Sequence, residues 1–315
     1  YTDEPHYSNI MLKILLNAGI SPILVFAYVL LFILFYVKIA MTWRQSAGVR
    51  SLSTSEASQR LHAEDLSYAY IVGLVEGDGY FSITKKGKYL TYELGIELSI
   101  RDVQLIYKIK KLLGVGIVSF RKRNNDSIEM VSLRIRNKDH LKNMILPIFD
   151  KYPMFSNKQY DYLRFKECLL SNIVYSEDLK EYTRDNTSSL NTVESILNAP
   201  YFSSWLVGFI EAEGCFSIYK TKDNYSIASF DISQTDGDII ILAIKNYLSI
   251  TTAIYKDNTN NYKLKATSVR SIENIIKFLS KTPVNLLGYK RLQYLLWLKQ
   301  LRTIPRYSKY IPNKY

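Results

Sequence analysis

Apolar positions along this chain change period twice in the same way. Tyr70-Ile71-Val72-Gly73-Leu74-Val75 is a continuous apolar run that ends in Glu76-Gly77-Asp78-Gly79 and then alternates through Phe81 and Ile83. Trp205-Leu206-Val207-Gly208-Phe209-Ile210 does the same through Glu211-Ala212-Glu213-Gly214 and then Phe216 and Ile218. A helical run that turns into a strand across an acid-x-acid-Gly step, found twice, predicts an internal pseudo-dimer. The correspondence extends further: Asp78 and Glu213 are 213 − 78 = 135 apart, Pro153 and Pro283 are 283 − 153 = 130 apart, and Lys158 and Lys290 are 290 − 158 = 132 apart. Each unit therefore reads helix, two strands, helix, two strands, then helices. The first unit predicts strands at 79–86, 90–100, 116–123 and 128–136, with helices at 102–113, 138–150 and 156–171. The second predicts strands at 214–221, 225–234, 251–257 and 262–268, with helices at 236–248, 271–281 and 287–302. This assigns residues 67–171 and 201–315 to two repeats, and 172–200, rich in Ser, Asn, Thr and acids, to a linker with a short helix around Thr192 to Leu197.

Gly73 with Gly77 and Gly208 with Ala212 place small residues four apart on one helix face, which lets two helices approach backbone to backbone. Such packing sets the acidic ends side by side. A carboxylate at a helix C-terminus is opposed by the macrodipole, and a neighbouring carboxylate adds repulsion. A divalent cation between them relieves both, and oxygen ligands without His or Cys favour Mg²⁺ or a similar hard ion over zinc. The competing reading is an ordinary helix with a Gly C-cap and solvated acids; duplication of the motif argues against it.

Alternation along the strands gives each sheet one apolar and one polar face. Arg121, Arg123, Ser132, Arg134 and Arg136 share one parity, as do Ser82, Thr84 and Lys86, and in the second unit Tyr219, Lys263, Lys265 and Thr267. A basic sheet face either stays solvated or enters a DNA major groove, which admits a two-stranded ribbon. Two such faces beside paired carboxylates favour nucleic acid. Strands of about 8 residues at ~3.4 Å, in two sheets end to end, cover on the order of 50 Å, or about 16 base pairs.

The net charge of +12 fits a polyanionic partner without separating DNA, RNA and anionic lipid. Two cysteines, Cys168 and Cys215, and three scattered histidines, His6, His62 and His140, supply neither a zinc framework nor a disulfide network. The 26 tyrosines, with abundant Ile, Lys and Asn, reflect A·T-rich codons and suggest an organellar gene. Residues 1–66 read as a separate leader and linker. Between Ile20 and Met41 the only charge is Lys38, so the stretch predicts a hydrophobic helix long enough to span a bilayer. Asp3 and Glu4 precede it while Lys38, Arg44 and Arg50 follow, which would set the rest of the chain on the matrix side of an inner membrane. A translated exon leader with no role in the chemistry is the alternative.

The paired motifs closely resemble those of the single-chain LAGLIDADG homing endonucleases, over roughly residues 65–315, and the pattern is similar to the endonuclease and maturase type encoded in fungal mitochondrial cytochrome b group I introns. Val72 and Val207 stand where the motif has Ala, Glu76 and Glu211 replace its first Asp, and Glu213 replaces its second. The resemblance implies an α+β fold of tandem pseudo-twofold repeats, each with a four-stranded antiparallel DNA-binding sheet. It implies a monomeric, mitochondrial enzyme that hydrolyses both strands of a long asymmetric DNA site with two or three Mg²⁺ or Mn²⁺ ions. Asp78 and Glu213, with Gly77 and Ala212 beside them, would bind the metal. Lys158 and Lys290 match the family's active-site lysines, and Gln234 looks like a water-positioning residue whose repeat partner is the apolar Ile100. A second partner, group I intron RNA, would meet Arg302, Arg306 and Lys309, on a terminal helix whose Leu292, Leu295, Leu296 and Leu298 are expected to pack inward. A non-cleaving RNA maturase or DNA-binding protein on the same scaffold, and a membrane protein with a soluble tail, are the other readings.

Overall fold

The computed structural model describes residues 67–122, 129–184, 190–309 and 311, all within one compact unit, Gln59–Tyr315. The apolar stretch 20–41 and Arg123 lie outside the described residues. Among the described residues no helix is long and apolar enough to cross a membrane.

The first repeat runs α1 (67–78), β1 (Gly79–Lys86), β2 (Tyr89–Ser99), α2 (Val103–Leu113), β3 (Ile117–Lys122), β4 (Glu129–Ile135), α3 (138–151) and α4 (Lys158–Leu170). After α5 (Val193–Leu197) the second runs α6 (Phe202–Glu213), β5 (Cys215–Lys220), β6 (Ser226–Thr235), α7 (Asp238–Tyr247), β7 (Tyr255–Lys256), β8 (Asn261–Ala266), α8 (Val269–Lys281), α9 (Tyr289–Leu301) and α10 (Pro305–Ser308). Each repeat holds a four-stranded antiparallel sheet, ordered β1-β2-β4-β3 and β5-β6-β8-β7.

α1 and α6 are apolar nearly all round and are buried nearly all round, as such a pattern requires. They touch backbone to backbone. A Cβ at Gly73 would fall 2.0 Å from the Trp205 carbonyl oxygen, and one at Gly208 1.9 Å from that of Tyr70. One turn further on, a Cβ at Gly77 would fall 2.3 Å from the Cβ of Ala212. No side chain can be added where two backbones already meet, so Gly208→Ala is expected to cost about 3 kcal/mol by overpacking. Thermal unfolding checks it; an unchanged melting temperature would show that the helices can separate without penalty.

Three expectations are corrected. The strand expected at 251–257 shrinks to Tyr255–Lys256, because Asp257 folds the chain back by accepting from the backbone N–H groups of Thr259, at 2.8 Å, and Asn261, at 3.0 Å. α3 carries a π turn at Leu141–Ile145, where the Leu146 N–H reaches the Leu141 carbonyl; Pro147 follows and cannot donate to the regular ladder. On α9 the aromatics take the core. Tyr294, Trp297, Leu298 and Leu301 form one stripe at helical spacing and are buried, with Trp297 Nε1 donating to the Ser217 carbonyl at 3.0 Å, whereas Leu292, Leu295 and Leu296 remain 48%, 46% and 51% exposed. Only Leu298 of the four expected leucines packs inward.

The linker is tied back to the first sheet. Leu90 N–H donates to the Val174 carbonyl at 2.8 Å and Ser176 N–H to that of Lys88 at 2.9 Å. Thr192 then starts α5 with a capping box, and Ile196 anchors that short helix in the core.

Candidate active site and nucleic-acid interface

The two acids of each motif do different work. Glu76 and Glu211, the first acids, are buried and hold the fold. Glu76 accepts from the backbone N–H groups of Phe155, at 3.2 Å, and Ser156, and from Trp205 Nε1 at 2.7 Å. Glu211 accepts from the Leu287 N–H at 2.7 Å and the Tyr70 hydroxyl at 2.9 Å. Each acid therefore organises the loop before the last long helix of its own repeat while taking one bond from the other repeat's central helix. Burial pushes both carboxyls above the ordinary range, and the bonds they accept oppose that.

Asp78 and Glu213 end α1 and α6 and receive no hydrogen bond from a described residue. Burial raises the Asp78 carboxyl, with Lys158 and Lys290 pulling it back and Asp102 adding to the rise. Burial, then repulsion from Asp78, raises Glu213, again offset by the two lysines. Four groups, two from each repeat, thus share one field where the central helices end. A crevice of about 300 Å³ opens beside it, lined by Asp78, Ala212 and Lys290 together with Glu97, Ser99 and Asp102.

The two lysines are held unequally. Lys158 Nζ donates to the carbonyls of Val75, Glu76, Gly77 and Gly79 at 3.1, 2.7, 3.3 and 2.7 Å, closing the C-terminus of α1. Its own pKa is lowered by burial, against the pull of Glu76, Glu213 and Asp78. Lys290 Nζ donates to one carbonyl, that of Gly214, at 2.6 Å. Asp102, which sequence reasoning passed over, accepts from the Tyr289 N–H at 2.7 Å and so caps α9, the helix that carries Lys290. An Asp immediately ahead of an apolar-periodic helix reads as that helix's own cap; its reach to another repeat is visible only in three dimensions.

Register puts Tyr80, Ser82, Thr84 and Lys86 on one face with Glu93, Glu97, Ser119, Arg121, Ser132 and Arg134. Arg136, just past β4, reaches the same Glu93. Ser132 is 4% exposed and paired with the Ser119 hydroxyl at 2.9 Å, so it is less available to a ligand than its neighbours. In the second sheet Tyr219, Lys263 and Lys265 share a face with Asp231, and Thr267 follows just beyond β8. Lys263 and Lys265 each lie 3.8 Å from Asp231, and Lys265 sits 4.8 Å over the Tyr219 ring. The carboxylates Glu93, Glu97 and Asp231 were readable by the same parity as the basic residues, since they alternate with buried Leu94, Ile96, Phe230 and Ile232.

Gln234 is positioned differently. It pairs with Tyr262 on the core-side parity of β6, beside Ile232, and its Oε1 is buried with no hydrogen-bond partner among the described residues. Tyr80↔Gly95 and Cys215↔Asp231 are matching pairs of the two sheets, which makes the repeat counterpart of Gln234 Leu98 rather than Ile100. Arg302, Arg306 and Lys309 are exposed around α10, with the Arg306 guanidinium 5.7 Å from the Tyr307 ring centre.

This architecture has known counterparts. The family described as LAGLIDADG endonuclease matches residues 71–169 and 206–301. A probable intron-encoded endonuclease, Cox1-I1b of Schizosaccharomyces pombe, is 32% identical over 74% of this chain and 63% of its own length, so the chain spans less than two thirds of that relative. The probable intron-encoded endonuclease aI3 of Dictyostelium citrinum is 31% identical over 70% of this chain and 88% of its own. Among solved structures, the LAGLIDADG meganuclease I-CpaMI bound to uncleaved DNA superposes with a TM-score of 0.63 at 19% identity, covering 78% of this chain and 94% of that one, a likeness of fold. Two matched repeats, each carrying its motif helix and its sheet, establish that the chain belongs to the LAGLIDADG endonuclease family.

Proposed function

We propose that the chain is a site-specific endonuclease that hydrolyses both strands of a long, asymmetric DNA duplex with divalent cations held between Asp78 and Glu213. The observation that carries this reading is the pair itself: two desolvated carboxylates from different repeats, raised by burial and free of hydrogen bonds from described residues, between two polar sheet faces. That donor set fits a hard cation. Among the described residues no group of three or more His, Cys, Asp or Glu gathers, which points to backbone carbonyls, phosphate and water for the remaining ligands. The carbonyls of Gly77 and Ala212 are the nearest in sequence, and that of Gly77 is already shared with Lys158 at 3.3 Å. Two or three Mg²⁺ or Mn²⁺ ions would supply an activated water and neutralise the leaving 3′-oxygen.

The chain's own groups do the rest. Asp78 and Glu213 hold negative charge where the cations are needed, and their unequal lengths make the two half-sites unlike. Lys290, tied to one carbonyl, can turn toward phosphate charge as it develops; Lys158, tied to four, keeps the end of α1 in place. The sheet faces orient the duplex by base and phosphate contacts. Because both half-sites lie on one chain, the enzyme acts as a monomer. Selection of cleaved sequences from a randomised duplex library with Mg²⁺ tests the reading; a folded full-length chain that cuts nothing with Mg²⁺ or Mn²⁺ would overturn it.

The A·T-rich residue usage and the intron-encoded relatives support origin in a mitochondrial intron, the feature shared by the cytochrome b likeness and the relative named Cox1-I1b. A maturase role for the same chain rests on the exposed cations around α10. Neutralising Arg302, Arg306 and Lys309 together is expected to weaken binding of its intron RNA at least about tenfold and to leave DNA cleavage nearly unchanged. Filter binding beside a cleavage assay checks this, and equal loss of both would mean one shared surface.

A further inference from the structure

The first sheet's polar face carries a buried carboxylate outside the site shared by Asp78, Glu213 and the two lysines. Glu93 lies near the middle of β2 and is 7% exposed. Its Oε1 accepts from the Tyr80 hydroxyl at 2.6 Å, and its Oε2 from Arg136 Nε. Arg134 Nε stands 3.9 Å from Oε1. The enclosure is built: a Cβ at Gly95 would fall 2.2 Å from the Tyr80 ring, so the missing side chain is what lets that ring lie across β2 and reach Glu93. Burial and the bond to Glu93 push the Tyr80 hydroxyl up to about 12, which keeps it a donor.

Arg136 donates to the carboxylate through Nε, on the inner edge of the guanidinium, while Arg134 Nε stands at ion-pair distance, 3.9 Å, and makes no hydrogen bond with the described residues. The Arg136 and Arg134 side chains stay 56% and 29% exposed. The two Nη amino groups of Arg136 are thereby left for a ligand, in the fork geometry that matches O6 and N7 of guanine in a major groove. An arginine free to swing also binds any phosphate. One whose Nε is fixed has lost that freedom, and the carboxylate beneath it offsets part of the positive charge that a backbone phosphate would meet. The second sheet lacks this device, since Asp231 lies between two lysines at 3.8 Å, point charges without a fork.

We propose that Glu93 is a specificity-determining residue of the first sheet, fixing Arg136 as a reader of guanine in one half of the target, with Arg134 drawn alongside by charge, and lowering the affinity of that face for DNA of any other sequence. The inference rests on the reading of the sheets as a DNA surface and goes beyond it by assigning a base preference to one half-site.

The experiment selects bound duplexes from a randomised library with the full-length chain and its Glu93→Gln variant, in EDTA so that nothing is cut. It also measures affinity for a non-target duplex across salt concentrations. Wild type should enrich guanine at one or two positions opposite the first sheet. Glu93→Gln should lower that preference at least about tenfold, leave the other half-site unchanged, and bind non-target duplex at least about threefold tighter with a salt slope steeper by about one. A wild-type chain with no guanine preference in either half-site, or a variant that selects the wild-type sequence, overturns the proposal, whatever the variant's melting temperature. Should Glu93→Gln not fold, Arg136→Lys replaces it, with the same expected loss of guanine preference and retention of wild-type selection as the contrary result. A wild type that enriches such a site yet fails to cut it when Mg²⁺ is added leaves this inference standing and ends the endonuclease reading.

Discussion

Asp78→Asn and Glu213→Gln should each abolish double-strand cleavage, by about a thousandfold or more, while duplex affinity stays within about tenfold. Each substitution keeps the side chain's size and removes the charge a cation needs, and the sheet contacts that dominate binding are untouched. Cleavage of the selected target and equilibrium binding, measured side by side, check both halves. A second consequence separates the pair from an ordinary structural ion cluster. Both carboxyls have folded-state pKa values above their unfolded ones, chiefly through burial. A raised acid binds protons more tightly in the folded chain, so the ionised pair opposes folding above its folded pKa, and the penalty disappears as pH falls below the unfolded carboxylate range. In metal-free buffer at neutral pH the two inactive variants should therefore melt above wild type, with the gap closing as the solution is acidified. Undiminished cleavage by both variants would sink the assignment.

The two lysines should fail in opposite ways. Lys158→Met removes one ammonium from four carbonyls at the end of α1, a loss of about 3 kcal/mol and a melting-temperature fall of roughly 6–12 °C. Lys290→Met gives up one bond to Gly214 and should cost under about 1 kcal/mol of stability while slowing cleavage about a hundredfold. Calorimetry and single-turnover cleavage on the two variants distinguish these outcomes. A stable Lys158→Met enzyme beside an unfolded Lys290→Met chain would reverse the roles given to them.

Much of this was legible because period carries most of the information in a chain that uses each period cleanly. Strand limits such as Gly79–Lys86, and helices such as Val103–Leu113, move by no more than a residue or two from their expected bounds, since α1, α6 and the strands after them contain no conflicting signal. Reading failed where two apolar stripes compete. On α9 leucines and aromatics are both at helical spacing, and the choice between them is made by β5, whose Phe216 ring packs 5.2 Å from those of both Tyr294 and Trp297. Gln234 shows a different limit. Its place at a strand end suggests a ligand-facing residue, whereas its parity, shared with Ile232, directs it to the core side. Asp102 and the unequal anchoring of the lysines were out of reach, because their partners lie in distant segments, 187 residues away for Asp102 and Tyr289.

The exchange of bonds between the central helices bears on how such a chain can be recombined. Tyr70 serves Glu211, and Trp205 serves Glu76, so each half's loop-organising carboxylate depends on an aromatic donated by the other half. Replacing one half with that of a relative would bring in a carboxylate matched to a foreign donor. A crossover in the linker therefore does not deliver an independent part. The inheritable module is one half without its own donor but with the aromatic that faces it, and hybrids that take position 70 from the source of the second half and position 205 from the source of the first are the ones in which both carboxylates remain satisfied.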